Sequence, residues 1–102
     1  MHLRAVYECR CQACQSGDEK TQRYHHQLNL LMSRLDERQR RWLAALEANR
    51  IGHGGTEQLR RITGLDINTI RRGRHELANE LADNPVGRSR AVGGGRKRLE
   101  KK

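Results

Sequence analysis

Aromatic and apolar residues are scarce in this sequence of 102 residues, which has no phenylalanine, one tryptophan and two tyrosines. Hydrophobic residues make up 34% of the chain, and the mean hydropathy is −0.99. Such a chain has room for one small domain, so a large core is excluded. It also lacks an apolar run of about 18 residues or more, which excludes a membrane-spanning helix.

Acidic residues are also few, because 12 aspartates and glutamates face 21 lysines and arginines and leave a formal net charge of +9. This balance favours a polyanionic partner, namely DNA, RNA or an anionic membrane surface. The segment Met1 to Arg10 carries charges where a signal peptide needs an apolar stretch. We therefore expect a cytoplasmic, nucleoid-associated protein.

The three cysteines, an odd number within a short span, do not predict a disulfide framework and fit a reducing compartment. Cys9, Cys11 and Cys14, with His25 or His26, offer enough ligands for one tetrahedral zinc ion. However, there is a single Cys-x2-Cys pair, whereas zinc sites usually combine two such pairs or one with a matched histidine pair. We therefore expect free thiols and no cofactor, with a zinc site as the alternative.

Apolar residues recur at helical spacing from Asp18 onward and predict a first helix. The stripe consists of Tyr24, Leu28, Leu31, Met32 and Leu35. Asp36 with Gln39 predicts a capping box for a second helix that ends at Gly52. Its expected buried face contains Trp42, Ala45, Leu46 and Ile51. Whether these two segments form separate helices or one kinked rod stays open.

A pair of shorter helices is predicted around Gly64. Thr56 is the expected N-cap of the first, and Gly64 is expected to be left-handed at its end. Asp66 or Asn68 would cap the second helix, which should continue to Asn84 before Pro85. Its expected core stripe is Ile67, Ile70, Leu77 and Leu81.

Two helices joined through a glycine in this way predict a helix-turn-helix. The early residues of the second helix of such a motif enter the major groove of DNA, where arginine pairs with guanine and asparagine with adenine. The candidate DNA-binding residues are Asn68, Thr69, Arg71, Arg72 and His75. The alternative is that these side chains only solvate an exposed helix face.

These patterns predict an all-α protein with three parts. Residues 1–17 form an irregular, flexible lead-in, residues 18–84 form the helix-turn-helix domain, and residues 85–102 form a disordered basic tail. The tail has seven basic side chains and one glutamate. Arg96, Lys97 and Arg98 within it are expected to contact DNA phosphates or the minor groove, although a solubilising linker is an equal alternative.

Several motifs in one order resemble the N-terminal region of the Rhodopirellula-type (Azoarcus-type) insertion-sequence DDE transposases. They are Leu35 to Trp42, Gly52 to Gly55, Ile62 to Leu65, Thr69 to Gly73, Glu76-Leu77 and Gly94 to Lys97. The resemblance implies binding of transposon terminal repeats during transposition, a form of DNA recombination. Family members continue into an RNase H-like catalytic domain with a metal-binding acidic triad. Since this sequence contains no such domain, we expect a truncated, non-enzymatic chain.

Two other functions stay open. In the first, the stripe from Tyr24 to Leu35 pairs with a second copy, and the chain is a dimeric regulator or inhibitor of a full-length transposase. In the second, the basic tail drives non-specific binding of nucleic acid.

Overall fold

Five helices account for most of residues 5–84, which are the residues that the computed structural model describes. They are α1 (Gln12–Gln15), α2 (Glu19–Met32), α3 (Glu37–Ile51), α4 (Gly55–Thr63) and α5 (Ile67–Ala78). The described part has no strand, so the predicted all-α class is confirmed. Within it, no helix is long and apolar enough to cross a membrane. The tail 85–102, with Arg96, Lys97 and Arg98, lies outside the described residues.

The helix ends follow several of the local signals in the sequence. Asp36 and Gln39 form the predicted capping box, with the Gln39 N–H donating to Asp36 Oδ1 at 2.8 Å. The chain therefore breaks between α2 and α3, and the two are separate helices. Gly64 is left-handed as predicted, with a φ of 78°. Of the two predicted caps of α5, Asp66 is the one observed, and it accepts from the Asn68 N–H at 2.9 Å.

Two other predicted helix ends are wrong. The N-cap of α4 is Gly54, in a left-handed conformation, and the Thr56 hydroxyl instead accepts a hydrogen bond from Arg74 at 2.9 Å. Helix α5 ends at Ala78, well before Asn84. The N–H groups of Glu80 and Leu81 fold back onto the carbonyls of Leu77 and Glu76, and both residues have a φ of 56°. This is the Schellman arrangement, which closes a helix.

Helix α3 packs against both α4 and α5 through a face of small residues. Ala44, Ala45 and Ala48 are fully buried there. The predicted face is wrong for Leu46, which is 57% exposed, and for Ile51, which is also exposed. The reason is the close approach of the helices, because a Cβ on Gly73 would lie 2.5 Å from the Arg41 carbonyl oxygen. Alanine fits such a contact, whereas leucine does not.

Helix α2 packs against α1 and α4. Leu28 and Met32 of the predicted stripe are buried, but Tyr24 is 45% and Leu31 57% exposed. The predicted buried face of α2 is therefore right for two of these four residues. The lead-in also differs from its predicted irregular form, because it contains α1 and places Cys11 in the hydrophobic core.

Candidate metal centre

Three cysteines and one histidine meet at one point of the structure. The ligand atoms of Cys9, Cys11, Cys14 and His25 all lie within 4.8 Å of one another. No disulfide joins the three cysteines, and the packing of α1 on α2 gathers them around a single imidazole. The sequence offers His25 or His26 as the fourth ligand, and the structure brings His25 into the cluster.

The distances within the cluster are nearly equal. His25 Nδ1 lies 3.3 Å from Cys9 Sγ, 3.4 Å from Cys11 Sγ and 3.3 Å from Cys14 Sγ. An imidazole nitrogen has one lone pair, so three thiols cannot all donate to it. Around a tetrahedral zinc ion, bonds of about 2.3 Å to sulfur and 2.0 Å to nitrogen separate the two atoms by roughly 3.5 Å. The arrangement is thus suited to holding a metal ion at its centre.

The backbone around the cysteines supports this arrangement. Cys9 lies in an extended segment, Cys11 is the N-cap of α1 and Cys14 lies within α1. The Cys11 N–H donates to Cys9 Sγ at 3.2 Å, a contact that stabilises a thiolate because it is charge-assisted. Cys11 is only 4% exposed and packs in the same cluster as Leu28 and Met32. The centre is therefore continuous with the core.

The local environment shifts the pKa of each group. Burial raises the pKa of the Cys9 thiol to about 12 and also raises that of Cys14. Burial opposes ionisation of Cys11 too, but hydrogen bonding to the Cys14 backbone and to the neighbouring thiols lowers its pKa overall. Burial lowers the pKa of His25 and so favours the neutral imidazole, the form that binds metals. Metal binding would therefore displace thiol protons and weaken as the pH falls.

The predicted DNA-binding residues of α5 lie apart from this centre and share one side of their helix. Asn68, Arg71, Arg72 and His75 are exposed, and Thr69 is half-buried beside them. Their spacing of three and four residues explains the shared side. Arg72 also pairs with Glu76, with 3.3 Å between Nε and Oε2.

A polar cleft of about 200 Å³ opens next to Thr69 and Arg72, between the start of α3 and α5. Arg40, Arg41, Glu37 and Leu65 complete its lining. Arg40 is fixed by a 2.7 Å hydrogen bond from Nη1 to the Leu35 carbonyl. A guanidinium has five N–H donors, so this contact leaves others for a ligand.

Sequence reasoning missed the roles of two charged residues on α5. Arg74 donates to Asn49 Oδ1 at 2.8 Å and to Thr56 Oγ1 at 2.9 Å, so it joins α5 to α3 and α4. Glu76 accepts from Arg41 and from Trp42 Nε1, so it joins α5 to α3. The available signal was spacing, since Glu76 follows the buried Gly73 by three residues and therefore faces α3.

Comparisons with known proteins give no match, whether with protein-family models, with curated proteins or with solved structures. The resemblance of the motifs to transposases consequently remains a prediction. The function proposed below is based on the cysteine–histidine cluster and on the exposed side of α5.

Proposed function

We propose that this chain is a duplex-DNA-binding module whose N-terminal segment is fastened by one structural zinc ion. The observation that supports the zinc ion is the approach of three cysteine sulfurs to His25 Nδ1 at 3.3 to 3.4 Å. Three thiolates and one imidazole complete a tetrahedral shell, and a closed shell is typical of structural rather than catalytic zinc. The small core also favours a metal ion as a source of stability.

Metal titration of the reduced chain tests the zinc site. We expect one zinc ion per chain and, with cobalt in its place, the absorption bands of tetrahedral thiolate coordination. Cys14→Ser and His25→Asn should weaken binding strongly, because each removes one of four ligands. His26→Asn is the matched control, since His26 is exposed and outside the cluster. Wild-type affinity in Cys14→Ser, or no binding by the reduced wild type, would refute the site.

The exposed side of α5 supports the DNA-binding part of the proposal. Arg71 and Arg72 can each pair bidentately with guanine and Asn68 with adenine in a major groove. Thr69 and Arg40 border the adjoining cleft, where their donors are suited to a phosphate of the same duplex. The resemblance to transposases supplies the target, a transposon terminal repeat.

A salt-dependent titration against terminal-repeat DNA from a related element tests this part, with scrambled duplex as control. We expect at least a tenfold preference for the repeat, which corresponds to about 1.4 kcal/mol. Arg71→Ala should cost about 1 to 3 kcal/mol at one base position and leave other positions unchanged. Arg60→Ala is the control, because Arg60 is an exposed arginine that pairs with Glu57 on α4. Equal binding of both duplexes by the wild type would argue for non-specific binding instead.

The exposed apolar residues of α2 favour a second candidate function, a dimeric regulator. Tyr24 and Leu31 belong to the stripe that the sequence predicts to be buried, yet they are exposed in the single chain. Sedimentation over a range of concentrations distinguishes the two candidates. A dimer that Leu31→Glu dissociates would support the regulator, whereas a monomer at all concentrations would exclude pairing through α2.

A further inference from the structure

The cysteine-bearing segment covers the connection between α4 and α5. The ring of Tyr7 lies against Gly64, so closely that a Cβ on this glycine would be 2.6 Å from Tyr7 Cε1. Gly64 has a left-handed backbone with a φ of 78°, and the connection Gly64 to Asp66 sets where α5 begins. A residue two positions before Cys9 is thus in contact with the turn that directs α5.

Hydrogen bonds join the same parts of the molecule. The last carbonyls of a helix have no partner within it. In α4 the Arg61 carbonyl accepts from the Arg10 N–H at 2.9 Å, and the Ile62 carbonyl accepts from Asn29 Nδ2 at 2.7 Å. Arg10 lies between Cys9 and Cys11, and Asn29 lies one helical turn after His25. Both donors, the Arg10 backbone N–H and the Asn29 side-chain amide, therefore belong to segments that carry the proposed metal ligands.

We propose that metal binding at the cysteine cluster positions the α4–α5 turn and so controls the affinity of α5 for DNA, with Tyr7 as the positioning residue. This inference rests on the proposed function. A metal ion that holds Cys9, Cys11 and His25 together fixes Arg10 and Asn29, and these hold the end of α4. Without the metal, the segments that carry the Tyr7 ring and the two hydrogen-bond donors are no longer held together by coordination.

The rest of the fold does not depend on the metal to the same degree. Helix α3 packs on α4 and α5, and Ala44, Leu59 and Ile70 at these contacts are fully buried. Metal removal should therefore loosen the turn and leave the three helices packed. Coupling of this kind is reciprocal, and its usual size is a 5- to 150-fold change in affinity.

The experiment compares the full chain with and without zinc at constant salt. We expect removal of zinc to weaken binding to terminal-repeat DNA by about 5- to 150-fold, while circular dichroism retains most of the helix signal. In zinc-saturated protein, Tyr7→Ala should weaken DNA binding, and the same variant loaded with cobalt should keep the wild-type cobalt spectrum. Tyr7→Phe, which keeps the ring, should restore wild-type affinity and separates positioning from a loss of the fold.

A nuclear magnetic resonance measurement tests the inference independently of DNA. Removing zinc should shift or broaden the amide signals of Gly64 and Leu65 more than that of Ala45, which lies in the α3 contact. Unchanged turn signals, or wild-type DNA affinity in Tyr7→Ala, would overturn the inference. If zinc-loaded wild type fails to bind DNA at all, the DNA-binding proposal fails, and the amide signals still decide whether the metal positions the turn.

Discussion

The carboxylate of Glu76 accepts hydrogen bonds from three side chains. Arg41 donates from Nε at 2.8 Å and from Nη2 at 3.2 Å, and Trp42 Nε1 donates at 3.0 Å. Arg72 adds a contact of 3.3 Å from the exposed side of α5. Because Arg41 is only 9% exposed, its positive charge needs the negative charge of Glu76 to compensate for the loss of hydration. Glu76 therefore ties α3 to the helix that carries the proposed DNA-binding residues.

Replacing Glu76 by alanine should be strongly destabilising. Removal of one partner leaves the Arg41 guanidinium buried and unpaired, which typically costs about 3 to 5 kcal/mol in the free energy of unfolding. Urea denaturation measures the loss, and Glu76→Gln should lose less because it keeps one acceptor. Glu57→Ala is the control, since Glu57 pairs with exposed arginines. A similar small effect for both alanine variants would show that the Arg41 pair contributes little.

Glu76 should also make the free energy of unfolding depend on pH. Burial opposes ionisation of Glu76, but hydrogen bonds from Arg41 and Trp42 outweigh it and hold its pKa below the ordinary value of 4.5. A carboxyl with a depressed pKa in the folded state stabilises at pH values above its unfolded pKa, and this contribution is lost as pH falls through the folded pKa. The stability difference between wild type and Glu76→Gln should therefore be largest near neutral pH and shrink below pH 4.5. A difference that is constant with pH would contradict this assignment.

At the residue level, the sequence was informative where a contact is local. The caps formed by Asp36 and Asp66 and the left-handed turn at Gly64 involve residues only a few positions apart. The neighbouring sequence therefore suffices to predict them. The choice of His25 over His26, and the burial of Glu76 against Arg41, depend on elements far apart in the chain. Spacing within one helix could not reveal which of two adjacent histidines turns towards the cysteines.

Among the helices, the contact of α3 with α5 depends on a missing side chain. Ideal Cβ geometry at Gly73 would place a methyl group 2.5 Å from the Arg41 carbonyl oxygen and 2.9 Å from Ala45 Cβ. Glycine within a helix costs about 1 kcal/mol relative to alanine. Its use here indicates that close packing outweighs helix propensity.

Gly73→Ala should therefore destabilise the protein although it improves the intrinsic propensity of α5. Overpacking of a core contact costs about 1 to 3 kcal/mol, against a gain of about 1 kcal/mol from propensity. Thermal and urea unfolding measure the net effect. His75→Ala on the exposed side of the same helix should change stability by no more than about 0.5 kcal/mol. Stabilisation by Gly73→Ala would show that α3 and α5 can separate at little cost.

The number and order of the main helices were predictable from apolar period and caps, but their buried faces were only partly so. The spacing of apolar residues predicts that one side of a helix is buried. Which residues lie on that side depends on the helix that packs against it. In α3, Ala48 lies against Gly55 of α4 and Ala45 against Gly73 of α5, whereas Leu46 is exposed. The early end of α5 was missed because Glu80 and Leu81 adopt a positive φ, which their residue types do not predict.

For the whole molecule, charge is divided unevenly along the chain. Residues 85–102 contain seven basic side chains and one glutamate, a net +6 of the total +9. Residues 1–84 therefore hold +3. Long-range attraction to DNA should come mainly from the tail, whereas base recognition is proposed for the exposed side of α5. The two contributions depend differently on salt and on sequence, so they can be measured separately.

Replacing Arg96, Lys97 and Arg98 together by alanine should separate the contribution of the tail from that of α5. Each phosphate contact contributes about −0.9 to the slope of log K against log salt, so the slope should fall by up to about 2.7. Affinity should drop equally for the terminal repeat and for scrambled DNA, which leaves their ratio unchanged. Arg72→Ala should instead reduce the ratio and change the slope by no more than about 1. If the tail variant lost the preference while Arg72→Ala retained it, discrimination between sequences would depend on the tail and not on the exposed side of α5.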